Sequence, residues 1–236
     1  MRLLLLKCVS LSIFFSSFLL IFSPTKTYSV KKIKKSIQLT GNGADRQWKK
    51  AKKLCDFPYP WRAETAPKTE FKALYDDTHF YFLYRATDAE IIQKSKGLGE
   101  MDVVASDRVE LFFKGATDDA PYYSLELDAL GRILDTEGYF YKKVDFAWTW
   151  PTDGLVVKAS MDETGYWVEG SISFASLRAL GLYHDDGILR TGLYRAEYVT
   201  QADGKVRPQW ISWIHPDAET PNFHIPSSFG ILELVE

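Results

Sequence analysis

The sequence predicts an all-β protein, an antiparallel β-sandwich of jelly-roll-like form with two packed sheets and one or two short helices. Three observations carry this. Period-two runs of β-branched and aromatic residues recur at short spacing, turn signals rich in Asp, Gly and Ser separate them, and helical patterning is confined to two brief stretches. The 236 residues are 46% hydrophobic, 15% aromatic and 25% charged, a composition that excludes disordered, collagenous and disulfide-dense classes. With 29 basic side chains against 31 acidic ones there is no basic field to collect phosphates, so nucleic acid is not an expected partner.

In chain order, Arg2 and Lys7 precede an apolar stretch over residues 9–22 that ends at Ser23 and Pro24. This pattern predicts a secretory leader over 1–29, cut after Ser29, with Ser23 as the competing site. The protein is therefore expected to be secreted, periplasmic or extracellular, touching a membrane only through an uncleaved leader. Cys8 lies at the start of the apolar run rather than its end, which disfavours a lipid anchor. Cys55 is then the one cysteine left, expected to be a small buried hydrophobe. Lys31, Lys32, Lys34 and Lys35 form a basic linker over 30–35, and a single domain is expected over 36–236.

Within that domain the first strand is expected near 36–39, followed by strands at 69–75 and 79–87 around an Asp76-Asp77-Thr78 turn. Further strands are expected at 109–113, 122–129, 132–137, 155–161, 166–173, 190–200 and 230–235. Short helices are expected at 48–53 and at 174–180, the latter between Ser173 as N-cap and Gly181.

Strand parity suggests where a site lies. With Val109, Leu111 and Phe113 facing the core, Arg108, Glu110 and Phe112 face away, and the same alternation turns Ser124, Glu126 and Asp128 outward. In the late strand Arg195 and Glu197 share one parity. A charged outer face is the plain reading of this pattern. The chain also holds 7 Trp, 13 Tyr and 15 Phe, several beside Pro in loop-like sequence, including Trp61 and Trp150. Aromatic rings suit the apolar face of a pyranose, while carboxylates and guanidinium groups bind its hydroxyls.

The motif order resembles the family 9 carbohydrate-binding modules and the wider family-9-like group. The resemblance runs from Gly43-Ala44-Asp45 and Trp48-Lys49-Lys50-Ala51 through the stretch from Phe71 to Asp77 and His79-Phe80-Tyr81 to Asp88. It continues with Asp107-Arg108-Val109-Glu110-Leu111-Phe112 and Gly165-Tyr166-Trp167-Val168-Glu169, and ends on Ile225-Pro226-Ser227-Ser228-Phe229-Gly230. The resemblance implies a β-sandwich that clamps a terminal sugar between two aromatic rings. Glu110 matches the binding glutamate, Asp128 stands where the family often has asparagine, Arg195 takes a polar binding position, and Phe223 takes one clamp position. Met101, Val103 and Val104 occupy the other clamp region, leaving Trp148, Trp150 or Trp61 to supply a ring.

The expected function is a non-catalytic, secreted carbohydrate-binding module in carbohydrate catabolism, with Glu110, Asp128, Arg195, Phe223, Glu126 and Trp148 as ligand-binding residues. From this follow three specific expectations. Glu110, Asp128 and Arg195 converge on one sheet face, Phe223 is a partly exposed platform above them, and Trp48 and Trp167 are core. Two alternatives stay open: a protein associated with, or performing, hydrolysis of O-glycosyl bonds through Glu110, Glu126 and Asp128, and a surface interaction module that has lost sugar binding. No cofactor is expected. Asp118-Asp119 and Asp185-Asp186 are the acidic turns of a kind that suits structural Ca²⁺. The oligomeric state is not legible.

Overall fold

The computed structural model describes residues 25–94, 99–141 and 143–236. Among them twelve strands follow in order: β1 (Thr27–Lys32), β2 (Thr69–Tyr75), β3 (His79–Thr87), β4 (Arg108–Lys114), β5 (Tyr122–Asp128), β6 (Ile133–Gly138), β7 (Val144–Asp145), β8 (Leu155–Asp162), β9 (Gly165–Ser173), β10 (Ile188–Thr200), β11 (Val206–Ser212) and β12 (Gly230–Val235). One short helix, α1 (Phe174–Ala179), follows β9, with Ser173 as its N-cap and Gly181 at φ +68° just beyond it. The helix expected at 48–53 is a 3-10 turn over Arg46–Lys50, capped by the Asp45 carboxylate. No helix among the described residues is long and apolar enough to cross a membrane.

The hydrogen bonds draw one continuous curled sheet in the order β7-β6-β5-β4-β10-β12-β1-β2-β3-β9-β8, with β11 added on β10. This corrects the expectation of two separate antiparallel sheets. The strand that joins them is β1, which runs parallel to both β12 and β2, so the sheet is mixed. The main core lies between the arm holding β2, β3 and β9 and the arm holding β4, β5 and β10. Phe71, Phe80, Phe82, Tyr84 and Val168 face Val109, Leu111, Phe113, Leu125, Leu127 and Leu193 there. Alternation makes this possible, and each fully buried large apolar side chain is worth about 1.5–3 kcal/mol. A smaller core on the other side of β3 gathers Trp48, Ile33, Ile37, Leu74, Tyr81 and Leu83.

The first strand corrects a second expectation. Residues 30–35 are not a tether, because β1 spans Thr27–Lys32 with Tyr28 and Val30 buried and the lysines turned outward. The Tyr28 hydroxyl donates to the Lys52 carbonyl at 2.5 Å and accepts from the Ala73 amide at 3.1 Å. The expected leader lies outside the described residues as far as residue 24, whereas 25–29 are part of the fold. A cut after Ser29 would split β1. The segment 36–39 is irregular, although Ile37 is buried.

Cys55 is exposed, not buried as expected. Trp48 is core, and its indole donates to Glu169 at 3.0 Å. Trp167 is only half-buried, with the Arg85 guanidinium 4.8 Å above its ring.

Candidate ligand-binding site

Antiparallel pairing sets out the site row by row. Tyr194 of β10 stands opposite Glu110 of β4, which stands opposite Glu126 of β5. The next row is Ala196, Arg108 and Asp128. These positions face away from the main core, and directly opposed side chains have Cβ atoms only ~4.5–5.5 Å apart. Two opposed carboxylates repel each other. Arg108 offsets this, its Nε lying 2.9 Å from Glu110 Oε1 and 2.6 Å from Glu126 Oε2. Neither contact has hydrogen-bond alignment, so these are ion pairs whose polar atoms keep unused hydrogen-bonding capacity.

Burial dominates the electrostatics. It pushes the Glu110 carboxyl up to about 8 against the opposing pull of Arg108, with the Glu126 charge adding to the rise. Glu126 is raised for the same first reason, and Arg108 is driven further up by the two carboxylates despite its own burial. Burial thus favours the protonated form of this carboxylate pair. His224 is pushed the other way, down to about 4, by burial and by the charge of Arg108, so it is neutral.

A cavity of about 150 Å³ opens on this face, floored by Arg108, Glu110 and Glu126 and walled by Trp210, Pro221, Asn222, Phe223 and His224. Trp210 arrives on β11, which pairs it with Ala196. Phe223 stacks on Tyr194 with ring centroids 4.1 Å apart and planes at 10°, and meets Trp210 edge-on at 5.8 Å. Hydrogen bonds fix the loop that carries Phe223. The Tyr194 hydroxyl donates to the Ser228 carbonyl at 2.9 Å, Ser228 Oγ reaches the Phe223 carbonyl at 2.6 Å, and the Asn222 side chain accepts from the His224 amide at 2.9 Å. His224 Nδ1 shares a 2.7 Å hydrogen bond with the Tyr122 hydroxyl. The lining thus combines apolar rings with buried polar groups that converge on one point, the composition expected of a small-ligand site.

Of the six expected residues, Glu110, Glu126 and Phe223 meet in this cavity. Phe223 is not partly exposed, because its stack on Tyr194 leaves it 5% exposed. Asp128 lies on the same face but is committed elsewhere: its carboxylate takes the Arg132 Nε at 2.6 Å and the Leu130 and Arg132 amides at 3.0 Å, closing the β5–β6 turn. Arg195 does not converge with Glu110. It is opposite Val109 in the register, so its side chain enters the interior face, where it meets Asp88 at 3.3 Å and is paired with Glu197. Trp148 packs on Tyr123 at 4.8 Å and Trp150 at 5.9 Å, away from the cavity. Trp61 is nearer, 5.6 Å from Phe223, though it backs that ring instead of lining the cavity. Sequence reading did not place Trp210, Asn222 and His224 at this cavity. The alternation of Trp210 with Ile211 was a strand signal, masked by Pro208, which marks β11 as an edge strand.

The acidic turns expected for Ca²⁺ have protein partners: Asp118 pairs with Lys114, and Asp185 takes the Arg178 Nε at 3.1 Å. The carboxylates of Asp88, Asp107 and Glu197 could each offer one oxygen to a metal, within 4.8 Å of one another, but the Arg195 guanidinium already sits among them as a cation.

The comparisons bear on the fold and the family. A search of curated proteins finds no match. A candidate carbohydrate-binding protein from Bacteroides uniformis superposes with a TM-score of 0.70 at 19% identity, covering 90% of this chain and all of the other. A family 9 carbohydrate-binding module from Caldicellulosiruptor kristjanssonii, solved with glucose, gives 0.58 at 19% identity over 89% of this chain and 96% of that one. The same module solved with cellotriose gives 0.58 at 18% identity, covering 89% and 93%. At such identities these likenesses carry the fold alone. The model of the carbohydrate family 9 binding domain-like family matches residues 39–236, most of the chain, and the protein belongs to that family.

Proposed function

We propose that the cavity over Arg108, Glu110 and Glu126 binds one sugar residue of a polysaccharide, and that the protein is a secreted, non-catalytic module serving carbohydrate breakdown. The observation that carries this is the cavity itself: about 150 Å³, with carboxylates and a guanidinium at its floor and the rings of Trp210 and Phe223 at its wall. Carboxylate and guanidinium atoms with unused hydrogen-bonding capacity suit vicinal hydroxyls, and the rings suit the C–H face of a pyranose. The C. kristjanssonii module, by its description, was solved with glucose and with cellotriose, which supports a sugar as the ligand class.

Binding is favoured over hydrolysis by the position of Arg108. Glu110 and Glu126 both touch its Nε, so a cation occupies the gap in which a glycosidase would hold an anomeric carbon. Secretion rests on the leader pattern in the first residues, and the integrity of β1 favours cleavage after Ser23 over Ser29.

Titration calorimetry with glucose, xylose, mannose and their β-1,4 oligomers tests the reading. Glu110→Ala should weaken the best ligand several-fold, since a buried hydrogen-bonding partner is worth about 0.5–1.5 kcal/mol even when uncharged. Silence of the wild type toward the whole panel would overturn it. N-terminal sequencing of the exported protein should return Pro24 as the first residue. Val30 would refute the cleavage assignment.

A further inference from the structure

The floor of the cavity is unbalanced in charge. Its two carboxylates, Glu110 and Glu126, share the single guanidinium of Arg108, and their side chains are only 3% and 9% exposed. Among the described residues that line the cavity no other supplies a positive charge: Trp210, Pro221, Asn222 and Phe223 carry none, and burial together with the Arg108 charge holds His224 neutral. Neighbouring charges are already matched, Asp128 with Arg132 at 2.6 Å and Lys114 with Asp118. Burial keeps the Tyr122 and Tyr194 phenols protonated. Two ionised carboxylates against one guanidinium leave one negative charge in excess, and such an excess is costly where water is largely excluded.

The same arrangement leaves acceptors free. Arg108 Nε approaches Glu110 Oε1 and Glu126 Oε2 without hydrogen-bond alignment, and no side chain other than Arg108 donates to either carboxylate among the described residues. Protonation, which burial favours here, is one way to remove the excess charge. A cation on the ligand is the other. The Trp210 ring in the wall offers a face that attracts cations, and the Arg108 guanidinium already lies 5.6 Å from its centroid. An anionic ligand meets the opposite situation. To pair with Arg108 it must approach two carboxylates that already face that guanidinium, and the like charges reject it.

We propose that the cavity selects a sugar carrying a free, protonated amine, a hexosamine of the kind found in deacetylated chitin, whose ammonium donates to Glu110 and Glu126. The inference rests on the proposed sugar binding at the cavity and names the class of sugar. An ammonium has three donors and no acceptor, which matches two carboxylates with acceptor capacity to spare. N-acetylation of the amine removes its charge, and a uronate reverses it, so both sugars lose the match.

Calorimetry on the full chain at about pH 7, where an amine of this kind is mainly protonated, compares glucosamine, glucose, N-acetylglucosamine and glucuronate. Glucosamine should bind about tenfold tighter than glucose, the scale of a hydrogen bond to a charged group. N-acetylglucosamine should bind no tighter than glucose, and glucuronate should be the weakest of the four. Glu126→Gln leaves one carboxylate against one guanidinium, so the preference for glucosamine over glucose should fall to about twofold or less once the charge-assisted partner is gone. Glu110→Gln should do the same and serves if the first variant does not fold. The readout is a ratio between two sugars on one protein, so partial unfolding does not mimic it. Equal binding of glucosamine and glucose by the wild type overturns the amine inference and leaves the cavity reading standing, and so does a preference that survives both substitutions. A wild type silent toward all four sugars overturns both.

Discussion

Two buried arginines on neighbouring strands, Arg108 and Arg195, each sit between carboxylates and serve different ends. Arg195 faces the interior. It donates to the Thr87 carbonyl at 3.0 Å, the Lys68 carbonyl at 3.4 Å and Thr69 Oγ1 at 3.3 Å as well as pairing with Asp88 and Glu197, so it ties β10 to the ends of β2 and β3. Arg108 faces the cavity. It has one backbone acceptor, Val104 at 2.8 Å, and its contacts to Glu110 and Glu126 are misaligned. Both clusters leave buried atoms without a hydrogen-bond partner, Arg195 Nε and Glu197 Oε2 in one and Arg108 Nε, Glu110 Oε1 and Glu126 Oε2 in the other, but only the second borders the cavity. The difference follows from register: Arg195 opposes Val109 and Tyr194 opposes Glu110, so a step of one residue moves a guanidinium from site to core.

The comparison can be broken most directly at Arg195. Arg195→Met should cost about 3–5 kcal/mol in denaturant unfolding, because Asp88, Asp107 and Glu197 would lose their internal cation. Sugar affinity per folded molecule should hold. An unchanged stability with lost affinity would mean that Arg195 belongs to the site after all.

Phe223 spans both roles, since it walls the cavity and is buried against Tyr194 and Trp210. Phe223→Ala should lower stability by about 3 kcal/mol, near the bottom of the range for buried phenylalanine, and should weaken sugar binding as well. Retained affinity in the folded fraction would reduce Phe223 to an anchor of the loop.

The finest test is the pH dependence of stability. The Glu110 carboxyl lies near 8 in the folded chain against an ordinary value of 4.5, so folding favours its protonated form. Its contribution is complete below pH 4.5 and is lost as pH rises through 8. Glu110→Gln should therefore gain on the wild type progressively across that window, by an amount on the order of a few kcal/mol. A flat difference between the two proteins would show that Glu110 stays ionised. His224 acts with the opposite sign. Held neutral with its acidity near 4 against 6.5, it costs stability as pH falls through that lower interval.

Much of the fold was legible because local pattern and burial agree. The strands around Asp76-Asp77-Thr78 were read to the residue, and the Asp76 carboxylate accepts the Thr78 amide at 2.8 Å and the His79 amide at 2.9 Å, as an Asp at a turn does. The basic run at 31–35 misled because charge suggested solvent, although Thr27, Ser29 and Lys31 alternate with buried Tyr28 and Val30. In β11 a proline hid a strand that brings Trp210 to the site.

By itself, then, the sequence determined the all-β class, most strand positions, the family and the outward parity of Glu110 and Glu126 on their strands. These depend on period-two alternation and short-range turn chemistry, which are properties of neighbours in the chain. Tertiary structure decided that β1 joins the two arms of the sheet, that Arg195 and Trp148 lie away from the cavity, and that Trp210, Asn222 and His224 line it. Those outcomes depend on register between strands and on which loop folds over which face. Parity states which residues share a side of one strand, and only the packed sheet states which side carries the cavity.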